Sequence, residues 1–532
     1  MPKRRYHPTL VIMRAHQLRP LSLLAALALM LGGCASSGPR DHVVIDGEFN
    51  DWSDVTVVAS DPADAPDGFL DFGEIRARHD RDAVYMLVDM GKVLTAQRLP
   101  GTVSILLDVD GRADSGHTEA GMDGVDLIFD FPLPNAKSPG TPGAGVRLRS
   151  QKERLNPYSL GVIFAPVHSG NRFEFRFDRR GPLGATPPIF FGTEFRAKFS
   201  AVDLEGKLVD ETQVFTYRLK QTNATARRIS NGHNPIGRSE GADLRVICWN
   251  VSRNDIFDKP RTFGKILLAL RPDIIILDEV SDKGSLEKVR AIITDAFLGE
   301  AWNVYFGPGG DDQRTVIASR STLAGAPALS PVAWPEGAAE QLAAMRGGSE
   351  EALEKARTWI GSSIPSGGAV VTLGTHSVLA VGVDLHCCGG HETVEDRRRM
   401  IEVTGINASA AKTAAETKVD ATIIAGDFNL VGDPVVLDLA AANLDHGKPL
   451  AHARALQIDG LSDATWANPQ EPFVPGRLDH ILYTSSSLDL LRAFVFDSSD
   501  LSGRWLAYNG LSAEDSSSAS DHMPVVADFK WR

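Results

Sequence analysis

Five short phrases in the second half of the chain gather carboxylates, amides and histidines. They are Cys248-Trp249-Asn250-Val251, Leu277-Asp278-Glu279-Val280, Val383-Asp384-Leu385-His386, Gly426-Asp427-Phe428-Asn429, and the pair Arg477-Leu478-Asp479-His480 with Ser520-Asp521-His522-Met523. Carboxylate oxygens are hard ligands for a divalent cation such as Mg²⁺. Histidine titrates nearest neutral pH, and a carboxylate partner fixes its tautomer. An asparagine beside a carboxylate adds hydrogen-bond donors without adding like charge. A set of this kind can hold a cation and move a proton. Singly, each phrase is weak: Asp-His pairs are common surface polarity, Glu279 could be a solvated strand-end acid, and Asn250 and Asn429 could be turn formers.

The elements that must position these residues are legible. Apolar runs at 244–249, 274–277, 378–383 and 422–425 have the length and composition of buried central strands. Helical patterns lie between some of them, as at 262–270 and 286–297. Strands mixed with helices predict an α/β layered fold over 241–532. Residues 335–360 read as a helical insertion over one end of the sheet. Each chemical phrase falls at the end of an apolar run.

Five phrases in this order resemble the endonuclease/exonuclease/phosphatase superfamily, shared by pancreatic-type deoxyribonucleases, abasic-site endonucleases, inositol-polyphosphate phosphatases and neutral sphingomyelinases. The resemblance covers 241–532 and implies a four-layer sandwich, two packed β-sheets flanked by helices. It implies that Glu279 holds Mg²⁺ (or Mn²⁺), with Asn250 as ligand or orienting amide and Asp521 as a further metal-site carboxylate. Asp427 positions or deprotonates the attacking water and Asn429 binds the phosphate. His522, oriented by Asp479, contacts the phosphoryl oxygens or transfers a proton, and His386 protonates the leaving oxygen as in the deoxyribonuclease-like branch. Hydrolysis of a phosphate ester must overcome crowded negative charge, which a cation and aimed donors relieve. Arg314 is a candidate for the substrate phosphate, with a surface salt bridge as the alternative. The run Arg397-Arg398-Arg399 reads as a solvated helix face, and Trp466 as core or cleft wall.

Residues 42–220 read differently. Alternating runs such as Phe173-Glu174-Phe175-Arg176-Phe177 predict an antiparallel β-sandwich. The phrases Ile45-Asp46-Gly47-Glu48-Phe49-Asn50-Asp51-Trp52 and Asp108-Val109-Asp110-Gly111-Arg112-Ala113-Asp114 resemble family-nine carbohydrate-binding modules. Asp108, Asp110 and Asp114 offer oxygens to Ca²⁺, or form an Asp/Gly-rich turn. Trp52 is expected to plug the sandwich rather than to stack on a sugar. The polar stretch 221–240 reads as a linker.

Residues 1–33 look like a targeting segment. A basic start precedes the apolar run 21–31, too short to span a bilayer. The ending Leu31-Gly32-Gly33-Cys34 resembles a bacterial lipobox, implying a lipoprotein signal peptide, lipidation of Cys34 and a cell-envelope anchor, with the outer membrane favoured because Ala35 and Ser36 follow and no acidic residue stands next to the cysteine. Adjacent Cys387 and Cys388 read as two small side chains at a strand end rather than a disulfide. The formal net charge of -13 weighs against nonspecific grip on a long duplex. The expectation is an exported metal-dependent phosphoesterase, most simply a nuclease-like phosphodiesterase using a metal-activated water. The substrate classes are nucleic acid, a lipid headgroup or a small phosphate. Alternatives are a phosphomonoesterase on a sugar or inositol phosphate, a sphingomyelinase-like enzyme, and a non-catalytic surface binding lipoprotein.

Overall fold

The computed structural model describes residues 42–132, 142–148, 154–179, 189–228, 232–309 and 311–532. Cys34 and the targeting segment lie outside the described residues. Residues from Asp41 to Arg532 form one compact unit.

In the first part of the chain, two antiparallel sheets pack face to face. One orders Val57–Ser60, Glu74–His79, Ala83–Leu94, Gly170–Asp178 and Ile163–Ala165. The other orders Leu208–Glu211, Glu194–Val202, Thr102–Asp108, Leu127–Phe131 and Gly145–Leu148, with Phe215–Arg218 also paired to Glu194–Val202. Period-two alternation sends Phe173, Phe175 and Phe177 inward against Phe129 and Phe131. Their neighbour Glu174 faces the other side of its sheet. There it accepts a hydrogen bond from the Trp52 indole at 2.7 Å. Trp52 is fully buried, but not between the sheets. It seals the outer face of one sheet with Tyr85, Leu87, Ala226 and Leu461. The last of these belongs to the second half of the chain, which is why an indole on an outer face finds cover.

The second half is two mixed sheets. A seven-stranded sheet orders Asn303–Phe306, Gln313–Ser319, Ile274–Ser281, Leu244–Arg253, Val525–Trp531, Leu488–Val495 and Leu456–Gln457. A six-stranded sheet orders Thr322–Gly325, Ser366–Leu373, His376–Asp384, Ala421–Asp427, Asp479–Tyr483 and Ala451–His452. Their facing sides bury Val246, Cys248, Ile276, Val378, Ala380 and Ile423. Outside one sheet lie the helices Pro260–Leu270 and Leu286–Ala296. Outside the other lie Val394–Thr417 and Val435–Ala441. This is the expected four-layer sandwich. The insertion forms two helices, Ala338–Ala344 and Glu350–Ile360, which pack on Ile401 of the long helix.

Residues 221–228 and 232–240 are bonded along both halves. Ala226 N–H donates to Asp80 at 2.8 Å, Arg228 N–H to the Asp459 carbonyl at 2.6 Å, and Ser239 N–H to Asp528 at 2.8 Å.

Candidate active site

Register puts the chemistry in one place. Leu244–Arg253 and Ile274–Ser281 are parallel, as are His376–Asp384 and Ala421–Asp427, so each pair ends on the same rim. Asp384 lies opposite Asp427, and Asp427 opposite Asp479, so three carboxylates stand side by side across three strands. In the facing sheet Asn250 is registered with Asp278.

Regular alternation would send Glu279 to the face opposite Asp278. It does not, because the register slips between Leu277 and Val280 and Glu279 takes a left-handed backbone, φ 53°. The slip re-aims the carboxylate into the cleft. Asn250 Nδ2 then donates to Glu279 at 3.0 Å and to Asp427 at 3.1 Å, bridging the two sheets. Carboxylate oxygens of Glu279, Asp384 and Asp427 all lie within 4.8 Å of one another.

Burial and the neighbouring Glu279 and Asp427 hold the Asp384 carboxyl well above its usual range. Burial, partly offset by His522, pushes Asp427 up to about 7. Three hard oxygen donors crowded at one point, with an amide between them, fit a divalent cation. His522 stands between two acids: Nδ1 is 2.9 Å from Asp479 and Nε2 is 3.7 Å from Asp427. Burial works against its charge, but Asp479 and Asp427 outweigh it and raise the imidazole to about 10. Asp479 is fixed by its own N–H, which donates to Thr465 Oγ1 at 3.0 Å. Asn429, at φ 45°, donates from Nδ2 to the Leu385 carbonyl at 2.7 Å and to Asp427 at 3.2 Å.

Three expected residues make other contacts than those expected. Asp521 is not in the carboxylate group. It accepts from Ser252 Oγ, Trp466 Nε1 and Asn468 Nδ2, and the His522 charge together with these donors outweighs burial and keeps its carboxyl below the usual range. The His386 ring sits edge-on to Trp359, with centroids 4.9 Å apart. Burial and the Arg398 and Arg399 charges lower it to about 4, which favours the neutral ring at neutral pH. Arg314 turns to Asp282 at 3.6 Å and to the Asp311 carbonyl, the salt bridge rather than the phosphate contact. Arg398 and Arg399 are buried rather than solvated. Arg398 pairs with Glu402, while Arg399 pairs with Asp396 and holds the His386 and Cys388 carbonyls. In the sandwich, Asp114 is exposed against Arg112, and Asp126 rather than Asp114 joins Asp108 and Asp110.

Two acids escaped sequence reasoning although both were in the quoted phrases. Asp384 is the third member of the carboxylate group, and only lateral register reveals it. Asp278 is fully buried, with neither oxygen hydrogen-bonded, and burial among Asp479, Asp427 and Glu279 holds it well above its usual range. Gly426 makes room for it: a Cβ there would come within 2.4 Å of its Oδ2.

A cavity of about 310 Å³ opens over Glu279, Asp427, Asn429 and His522. Trp466, Asp521, Cys387 and Cys388 form part of its wall, and the cysteines are free thiols with sulfurs 2.9 Å apart. Thr95, Gln97, Arg98 and Val167 of the sandwich form another part. No sequence signal marks these four, because only the docking of the two halves brings them there.

The sequence profile of the Endonuclease/Exonuclease/phosphatase family matches residues 247–522. None of the curated proteins matches the chain. Among solved structures, the human Nocturnin catalytic domain with bound sulfate anion is similar at 15% identity and TM-score 0.34, over 56% of this chain and 97% of that one. Truncated Caenorhabditis elegans TDP2 is similar at 14% and 0.33, over 54% and 97%. An AP endonuclease from Archaeoglobus fulgidus is similar at 12% and 0.32, over 54% and 99%. With the profile match spanning more than half its length, the chain belongs to the endonuclease/exonuclease/phosphatase family of phosphoester hydrolases.

Proposed function

We propose that this protein is an exported, Mg²⁺-dependent phosphodiesterase, tethered to the bacterial cell envelope by lipid on Cys34. The observation that carries the catalytic reading is the Asn250 amide joining Glu279 to Asp427, with His522 held between Asp427 and Asp479. The apolar run 21–31 ending in Leu31-Gly32-Gly33-Cys34 supports export and anchoring.

Glu279, Asp384 and Asp427 are the residues that would hold the cation. A divalent ion there supplies positive charge to offset the phosphate and acidify water. Asp427 accepts the proton of the attacking water. Asn429 lines the cleft, and its amide holds Asp427 in place. His522 carries a proton at neutral pH and places it near the developing charge, with Asp479 fixing the ring.

The test is hydrolysis by the full chain of plasmid DNA, bis-p-nitrophenyl phosphate and p-nitrophenyl phosphate, with Mg²⁺ or with EDTA. Glu279→Ala and His522→Ala run beside it. Diester cleavage that needs Mg²⁺ and is lost in both variants is the expected result. Cleavage of the monoester alone would replace this reading with a phosphatase. Turnover unaffected by EDTA would remove the metal from it. Labelling of Cys34 by a radioactive fatty acid, abolished in Cys34→Ala, tests the anchor.

A further inference from the structure

We propose that Arg98 of the β-sandwich is a substrate-binding residue of the catalytic cleft, and that the loop carrying it restricts the cleft to small phosphodiesters. The inference rests on the phosphodiesterase reading above and names its substrate class.

The loop is built into the cleft wall from both sides. Thr95 Oγ1 donates to the Val431 carbonyl at 3.3 Å and accepts from His391 N–H at 2.9 Å. The Gln97 side-chain oxygen accepts from Val474 N–H at 3.2 Å, and its carbonyl accepts from Gly143 N–H at 3.0 Å. Between these anchors, in the short 3₁₀ turn Ala96–Arg98, Arg98 reaches the cavity. Its guanidinium lies over the Phe473 ring, 5.6 Å from the centroid. Among the described residues it makes no side-chain hydrogen bond and no ion pair with a carboxylate.

A half-buried cation with five donors is expensive to leave unmatched. Burial weakens its hold on its proton and Arg399 adds to the effect, while Cys388, Cys387 and Glu395 work the other way without cancelling it. Among the described residues no other arginine or lysine lines the cavity; the other ionisable groups of its wall are Glu279, Asp427, Asp521, His522 and the two thiols, of which Cys388 is lowered to about 6 by its hydrogen bond with Cys387 and by Arg98 and Arg399. An anionic group entering here therefore meets Arg98. A guanidinium fork matches the oxygens of a phosphate.

The same loop limits size. About 310 Å³ is at the small end of ligand pockets, room for a compact molecule. The middle of a duplex needs an open, basic track. Here an accessory β-sandwich occupies that approach, and the chain carries a net charge of -13. The occupant that fits is a small phosphodiester, with its phosphate between the carboxylate group and Arg98.

Steady-state kinetics on bis-p-nitrophenyl phosphate and calorimetry with inorganic phosphate, on the full chain, test both parts. Arg98→Ala is expected to raise KM and weaken phosphate binding at least fivefold, with kcat changed less. Arg98→Lys is expected to recover part of both. Should Arg98→Ala misfold by circular dichroism, Arg98→Gln keeps the stack on Phe473 and is expected to lose the same affinity. Unchanged KM and phosphate affinity in the folded variant would overturn the role of Arg98. Wild-type cleavage of plasmid DNA with kcat/KM at or above that for the small diester would overturn the size restriction. Absence of turnover of every ester in the wild type would sink the phosphodiesterase reading, while phosphate calorimetry would still decide Arg98.

Discussion

Glu279 occupies a backbone conformation that L residues avoid, at a cost of about 1 kcal/mol or more. It also brings a carboxylate beside Asp384 and Asp427. Glu279→Gly removes both burdens. It is expected to melt no lower than wild type, and higher in EDTA, while hydrolysing bis-p-nitrophenyl phosphate at least ~100-fold more slowly. Differential scanning calorimetry beside the kinetic assay reads both. Asp479→Asn leaves the His522 ring in place but removes its anionic partner. A loss in kcat of roughly 100-fold, with little change in KM, is expected. Glu279 and Asp427 were legible because each follows an apolar run that can only be a buried strand, and His522 because it precedes one. Asp384 was not, since what matters is its lateral neighbour Asp427, a partner that linear spacing does not show. His386 was misplaced for a related reason. Its sequence neighbours say nothing of Trp359, the ring that it meets across the fold.

At the scale of elements, close approach of the two sheets is what shelters Asp278. Gly426 sits at φ 139°, and a methyl group there would come within 2.2 Å of the Val383 carbonyl as well as striking Asp278. Gly426→Ala should therefore destabilise by more than about 2 kcal/mol in urea titrations. In the sandwich, Asp61 is raised to about 6 by burial and by Asp210, Asp64 and Asp71. The folded state then binds the proton more tightly than the unfolded chain. Stability present at low pH is lost as pH rises through about 6. Relative to wild type, Asp61→Asn should gain stability at pH 8 and none at pH 4. Because Asp61 is partly exposed, the gain should stay below about 1 kcal/mol, read from paired thermal melts. The long central strands were readable from their apolar runs, and the sandwich strands from strict alternation. Two-residue edge strands such as Leu456–Gln457 and Ala451–His452 carry no period to read. The Asp108-to-Asp114 loop named an acidic group but not its members, because Asp126 arrives from a later turn.

At the scale of the whole molecule, the halves interlock. Val474 of the second half packs into the core of the sandwich, and Leu461 covers Trp52. A fragment of residues 241–532 would expose both leucine and valine and lose the wall bearing Arg98. It is expected to melt below the full chain and to lose at least ~10-fold in kcat/KM on the small diester. Composition could not foretell this. The polar residues of 221–240 are those of a free connector, and the same groups also satisfy Asp80, Asp459 and Asp528. A tethering module can be exchanged by recombination for another of its kind without harm to the enzyme it accompanies. A sandwich that supplies one wall of the cleft cannot. Its loop at 95–98 and the opposing turn at 387–391 should drift together across lineages. Hybrids that join one lineage's sandwich to another's catalytic half should fail, even where each half comes from a working parent.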